Sequence, residues 1–164
     1  MSAAVFSRTV ARGDDGALSV GGVDVRELAG QYGTPLYVID EEDMRARAAA
    51  FSDEFTAAFG RHGAEVDVYY ASKAFLSSRV ARWMRQDDLC LDVASGGELE
   101  IALRGGMPAA RIGLHGNNKS DGELRRAIEV GVGRIVVDSF TEIELLDQIA
   151  REMGAKAPVM VRVT

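Results

Sequence analysis

Three times in the second half of the chain the same device recurs: a serine, two further residues and a glutamate, set just beyond a short apolar run. The three are Ser95…Glu98, Ser120…Glu123 and Ser139…Glu142. In such a capping box the serine hydroxyl and the glutamate carboxylate each satisfy a backbone N–H that the first turn of a helix leaves unpaired. A box behind a strand candidate marks a strand-to-helix junction, and its repetition constrains the fold more than any other feature. Strands are predicted at 66–71, 89–93, 111–114, 134–137 and 158–163, with helices at 76–86, 97–105, 121–130 and 140–153 between them. The unit recurs every ~20–25 residues, close to the roughly 30-residue βα unit of parallel-sheet proteins. Such alternation implies an α/β fold, a parallel sheet with helices outside it. Either a doubly wound sheet or part of a TIM barrel satisfies the pattern.

The segment before the first unit reads differently. Ala17-Leu18-Ser19-Val20 and Val23-Asp24-Val25 flank Gly21-Gly22, a hairpin signal. Tyr32-Gly33-Thr34-Pro35 then breaks the chain before Leu36-Tyr37-Val38-Ile39, a strand candidate. From Asp40, a plausible N-cap with Asp43 favoured by the helix dipole, the period becomes helical. Met44, Ala48, Phe51, Phe55 and Phe59 fall on one face.

Bulk properties narrow the function classes. The 164 residues carry a net charge of −6, with 47% hydrophobic and 27% charged side chains, an ordinary globular balance. An acidic chain gives no general electrostatic support to a nucleic-acid partner. Apolar runs fall far short of the ~20 residues a bilayer span needs. The opening MSAAVFSRTVARGDDG lacks the apolar core of a secretion signal, so a cytoplasmic protein with no membrane partner is expected. One cysteine, Cys90, reads as a buried structural thiol in an apolar strand. With only His62 and His115 for histidines, no metal site is expected.

In either α/β architecture ligands gather at the C-terminal ends of the strands. Here those ends are Ser72-Lys73, Asp92 to Ser95, His115-Gly116-Asn117-Asn118, Asp138-Ser139 and Arg162 to Thr164. Strand exits are polar anyway, but five of them converging on one rim point to a site. Lys73 stands out because it directly follows a strand candidate. A lysine held in such a rim can lose its proton and attack an aldehyde. The Walker A, G-x-S-x-G, H-E-x-x-H and G-x-G-x-x-G signatures are absent, which counts against P-loop enzymes, esterases, zincins and dinucleotide-binding dehydrogenases.

Four segments then carry a resemblance: Tyr32-Gly33-Thr34-Pro35-Leu36-Tyr37-Val38, Tyr70-Ala71-Ser72-Lys73-Ala74, Asp92-Val93-Ala94-Ser95-Gly96-Gly97-Glu98-Leu99 and His115-Gly116-Asn117-Asn118-Lys119. In this order and spacing they resemble the fold-type III pyridoxal-phosphate decarboxylases. The last segment is more typical of the diaminopimelate decarboxylases than of ornithine decarboxylase or alanine racemase relatives. The resemblance implies a partial TIM-like (β/α)8 barrel, reaching about its fifth strand, with a C-terminal β-domain not included. It implies that residues 1–35 form an N-terminal segment packing on that β-domain and that 36–164 begin the barrel. Lys73 would be the catalytic lysine that anchors pyridoxal 5'-phosphate, with Asp92, Ser95, His115 and Asn117 as candidate cofactor contacts. For Asp92 and Ser95, strand exit and helix capping are the simpler explanation.

The implied reaction is decarboxylation of meso-2,6-diaminopimelate to L-lysine and carbon dioxide, the last step of bacterial lysine biosynthesis, in a homodimer acting on a small amino acid. The resemblance places the groups that bind the phosphate and the pyridine nitrogen beyond Thr164, so this stretch alone would be inactive. Cys90 does not match the family's cysteine. Another decarboxylase or racemase of the same fold type, or a stretch without turnover, would share Lys73 and the barrel.

Overall fold

The computed structural model describes residues 6–163. Residues 1–5, which open the N-terminal segment, and Thr164, the last residue of the fifth polar strand end, lie outside the described residues. The chain divides into two compact units, Met1–Asp53 and Glu54–Thr164.

In the first unit, β1 (Ala11–Arg12), β2 (Leu18–Val20) and β3 (Val23–Asp24) form an antiparallel meander in sequence order. The hairpin expected across Gly21-Gly22 pairs Val20 with Val23, and both glycines adopt the positive φ that a tight turn demands. A helix that periodicity did not predict follows at once: α1 (Val25–Tyr32). Its signal is a local one, since Asp24 caps it by accepting from the Arg26 N–H at 2.7 Å and Glu27 stands in the first turn. The strand expected at Leu36–Ile39 does not form. Among the described residues the segment has no hydrogen-bonded neighbour, and it is exposed, with Tyr37 95% accessible; a strand exists only as part of a ladder. Helix α2 (Glu41–Gly60), whose residues from Glu54 on belong to the second unit, begins where expected, its Asp43 N–H donating to Asp40 Oδ1 at 3.2 Å. On the aromatic stripe of α2, Phe55 and Phe59 stack with ring centroids 6.2 Å apart.

The second unit is the predicted alternation. Five parallel strands, β4 (Tyr69–Ala71), β5 (Cys90–Val93), β6 (Ile112–Leu114), β7 (Arg134–Val137) and β8 (Val159–Val161), lie side by side in sequence order. Between them run α3 (Ser78–Gln86), α4 (Gly96–Arg104), α5 (Asp121–Val130) and α6 (Phe140–Glu152). A doubly wound sheet reverses strand order at a switch point. This sheet never reverses, so the progression is that of a (β/α) barrel. β7 has the predicted bounds, and the other four strands are shorter than the apolar runs that predicted them, because only part of each run meets a neighbour in register. Pro158, for example, can offer only its carbonyl, which accepts from the Ile135 N–H at 2.8 Å.

One sheet face builds the core. Leu91, Val93, Ile112, Leu114 and Ile135 are fully or almost fully buried, together with Met84, Leu99, Leu124 and Ile149 of the helices. Each such side chain contributes about 1.5–3 kcal/mol relative to leaving it in water. Close packing of α3 on α4 depends on Gly105, where a Cβ would lie 2.5 Å from that of Ala81.

All three predicted serines cap their helices, each accepting from the N–H three residues on: Ser95 from Glu98, Ser120 from Glu123 and Ser139 from Glu142. Only Ser120 closes the reciprocal box. Glu98 and Glu142 reach one residue further back, accepting from the N–H groups of Ala94 at 2.7 Å and Asp138 at 3.1 Å.

Candidate active site

The opposite sheet face supplies the site, and register explains how. Ala71 lies beside Asp92, Asp92 beside Gly113, and Val136 beside Met160. Partners in a parallel ladder share a face, and so do residues two apart along a strand. His115, two beyond Gly113, and Arg162, two beyond Met160, therefore arrive at one rim, and Lys73, in the turn that follows Ala71, joins them there. They line a basin of about 570 Å³ together with Asp92, Asn117 and the apolar Val136 and Met160.

Lys73 sits in a single 3-10 turn, Ser72–Ala74, that follows β4. Its side chain is exposed, and among the described residues its amine has no hydrogen-bond or ion-pair partner. Phe75 closes the turn, its carbonyl accepting from the Tyr70 hydroxyl at 2.7 Å. His115 Nδ1 stands 3.2 Å from Asp92 Oδ1, a contact that fixes the imidazole ring against the neighbouring strand. Across the basin Arg162 Nη1 lies 3.8 Å from Asp138 Oδ2.

On the same face, nearer the start of the strands, lie Tyr69, Cys90 and Arg134. Cys90 is buried, as expected of a structural thiol, and burial pushes its pKa up, away from the reactive thiolate. A second cavity of about 550 Å³, beside α6 and β8, is walled on its sheet side by Val137, Val159 and Val161 and receives none of the polar strand ends.

Four of the five residues singled out from sequence thus meet in one basin: Lys73, Asp92, His115 and Asn117. Ser95 does not line it; its hydroxyl is engaged at the N-terminus of α4, 3.3 Å from the Glu98 nitrogen. Arg162 belongs to the basin but was legible only as part of a polar strand end. Gly116 and Lys119 were quoted as motif letters without a role. Gly116 holds φ +105°, and a Cβ there would lie 3.1 Å from the Ala94 carbonyl oxygen. Lys119 points away from the basin, its side chain only 2% exposed beside Glu142.

Residues 41–164 match the family described as pyridoxal-dependent decarboxylase, pyridoxal binding domain. Over 160 residues the chain is 51% identical to diaminopimelate decarboxylase of Mycobacterium tuberculosis, covering 98% of this chain and 34% of that protein. It is 48% identical over 149 residues to diaminopimelate decarboxylase of Bacillus subtilis, covering 91% of this chain and 33% of that one. The crystal structure of diaminopimelate decarboxylase from M. jannaschii superposes with a TM-score of 0.85 at 33% identity, over 96% of this chain and 36% of the other. The chain spans about a third of the length of the curated relatives it matches.

Proposed function

This chain belongs to the pyridoxal-dependent decarboxylase family, and on that premise we propose that the protein converts meso-2,6-diaminopimelate to L-lysine and carbon dioxide, with Lys73 as its cofactor-bearing residue. The observation that carries the reading is the Lys73 amine, unpaired among the described residues and facing a basin built from the ends of five strands.

The donor set suits pyridoxal 5'-phosphate. A primary amine without a competing carboxylate is available for covalent attachment, and Asp92, His115 and Asn117 offer polar contacts in the same basin. When bound, that cofactor supplies the conjugated ring that takes up the electrons left by a departing carboxylate. The chain's own residues bind and orient. Asp92 holds the His115 ring, and Val136 and Met160 give the basin an apolar wall. Ser95 enters only by fixing the N-terminus of α4 behind Ala94. Rigid strand ends keep these groups in one geometry, which is how a protein contributes to chemistry carried by a cofactor.

Support for the substrate comes from the relatives' shared name and from the M. jannaschii enzyme, whose structure in complex with L-lysine matches this chain with a TM-score of 0.83. The homodimer and the cytoplasmic setting expected from the resemblance belong to the same proposal; no helix among the described residues is long and apolar enough to cross a membrane. Product analysis decides the substrate. The enzyme should release L-lysine from meso-diaminopimelate and leave ornithine, lysine and carboxynorspermidine untouched. Preferential turnover of any of those three would move the protein to a sister activity.

A further inference from the structure

We infer that Lys119 and Glu142 form a buried clamp that positions the loop His115–Asn117, and with it one wall of the basin. The inference rests on the reading of that basin as the cofactor site.

The Lys119 ammonium donates to the Gly116 carbonyl oxygen and lies 2.5 Å from Glu142 Oε1. The second contact is ionic, without hydrogen-bond alignment. Glu142 Oε2 accepts from the Asp138 N–H, and the Glu142 N–H donates to Ser139 Oγ. A continuous path therefore runs from the loop after β6, through the ammonium and the carboxylate, to the end of β7 and the first turn of α6. On its other side the loop passes over the end of β5, where Gly116 leaves no room for a Cβ against Ala94. Held at its carbonyl by Lys119 and close to Ala94 on the other side, Gly116 sets the course of the two residues flanking it, and both line the basin.

Helix capping does not explain the lysine. Glu98 performs the same service for the Ala94 N–H, and no lysine is paired with it among the described residues. Glu123 also reaches the preceding unit, accepting from the Gly96 N–H at 2.6 Å; it feels the Lys119 charge but forms no ion pair with it among the described residues. Placing an ammonium and a carboxylate out of water costs desolvation energy that an apolar pair of similar volume would not, so the pair is poor evidence of added stability. What it adds is a fixed position for the Gly116 carbonyl.

Four variants separate positioning from stability: Lys119→Met, Glu142→Gln, Lys119→Arg and the double variant Lys119→Met with Glu142→Leu. Each single charge removal should lower the melting temperature, because a lone buried charge remains or the bond to Gly116 is lost. The double variant should recover thermal stability, since both charges are gone, and it remains informative if a single variant fails to fold. It should nevertheless show faster amide hydrogen exchange at 116–118 in the cofactor-free protein. Its affinity for pyridoxal 5'-phosphate, followed by absorbance titration, should fall roughly ten- to a hundred-fold, the scale on which misplacing a positioned group is felt. Lys119→Arg should retain more of that affinity than Lys119→Met. A double variant with parental exchange at 116–118, or with parental cofactor affinity, would overturn the inference. Failure of the parent protein to attach the cofactor at Lys73 would instead sink the reading of the basin, and is scored separately.

Discussion

The guanidinium of Arg134 lies 4.8 Å from the centre of the Tyr69 ring, although β5 and β6 separate the strands that carry them. Gly113, on β6, lies between them. A Cβ there would meet Arg134 Cγ at 3.4 Å and Tyr69 Cε1 at 3.5 Å, ordinary contact, so a side chain larger than alanine's pushes the two apart. This cation–π pair ties β4 to β7 across the face that carries the basin. Gly113→Val should cost about 1–3 kcal/mol of stability through overpacking. Urea denaturation of the variant checks the value; an unchanged midpoint would show that this part of the sheet face is loosely packed.

Tyr69 should titrate late. Burial pushes its phenol up to about 12, against an ordinary value of 10.0, with Arg134 acting in the opposite direction. The neutral phenol is thus favoured by the folded state. Its contribution to stability is complete below pH 10 and disappears as pH rises towards 12, because the unfolded chain ionises first. Ultraviolet titration comparing the protein with Tyr69→Phe should assign a phenolate transition near 12 to this residue, and Tyr69→Phe should flatten the alkaline fall in stability.

The caps of the βα units should differ in worth. Replacing Ser95, Ser120 or Ser139 by alanine should cost about 0.5–2 kcal/mol each. Ser120 should stand at the upper end, because it alone closes a full capping box and its hydroxyl also meets Glu123 Oε2 at 2.8 Å. Hydrogen bonds from the N–H groups of Ser120 and Gly96 hold the Glu123 carboxyl below its ordinary 4.5. Its stabilising share is therefore present above pH 4.5 and is lost as pH falls through the depressed value. Glu123→Gln should lower stability at neutral pH and reduce the loss on acidification; equal acid slopes for parent and variant would contradict this.

What could be read from sequence was what repeats or what is local. Strand–helix alternation and three Ser-x-x-Glu boxes located β5 to β8 and α4 to α6 to within a residue or two at most ends, because capping and apolar period are local physics. Helix α1 was missed since its eight residues are too few to display a period, and its cap is an aspartate within a hairpin. The Leu36–Ile39 strand was expected from composition, but composition cannot supply a neighbouring strand. At the site, Lys73, Asp92, His115 and Asn117 were legible from strand ends and a family resemblance. The convergence of Arg162 depends on the register of β7 with β8, and the burial of Lys119 on an ion pair spanning two βα units. Neither relationship is written in any single segment.

Reductive trapping tests the central assignment. The chain carries three lysines, and their surroundings differ sharply. Lys119 is buried against Glu142 and bonded to the Gly116 carbonyl, so its amine is enclosed and engaged, out of reach of an aldehyde. Lys156 lies near the opposite, N-terminal end of β8, beside the apolar cavity. Only Lys73 presents its amine to the basin at the strand ends. Borohydride reduction of the enzyme with pyridoxal 5'-phosphate, followed by peptide mapping, should place the pyridoxyl group on Lys73. Lys73→Ala should abolish attachment and turnover while shifting stability by less than about 0.5 kcal/mol, because an exposed side chain without partners contributes little packing. A label found on Lys119 or Lys156 would show that the basin is not where the cofactor binds.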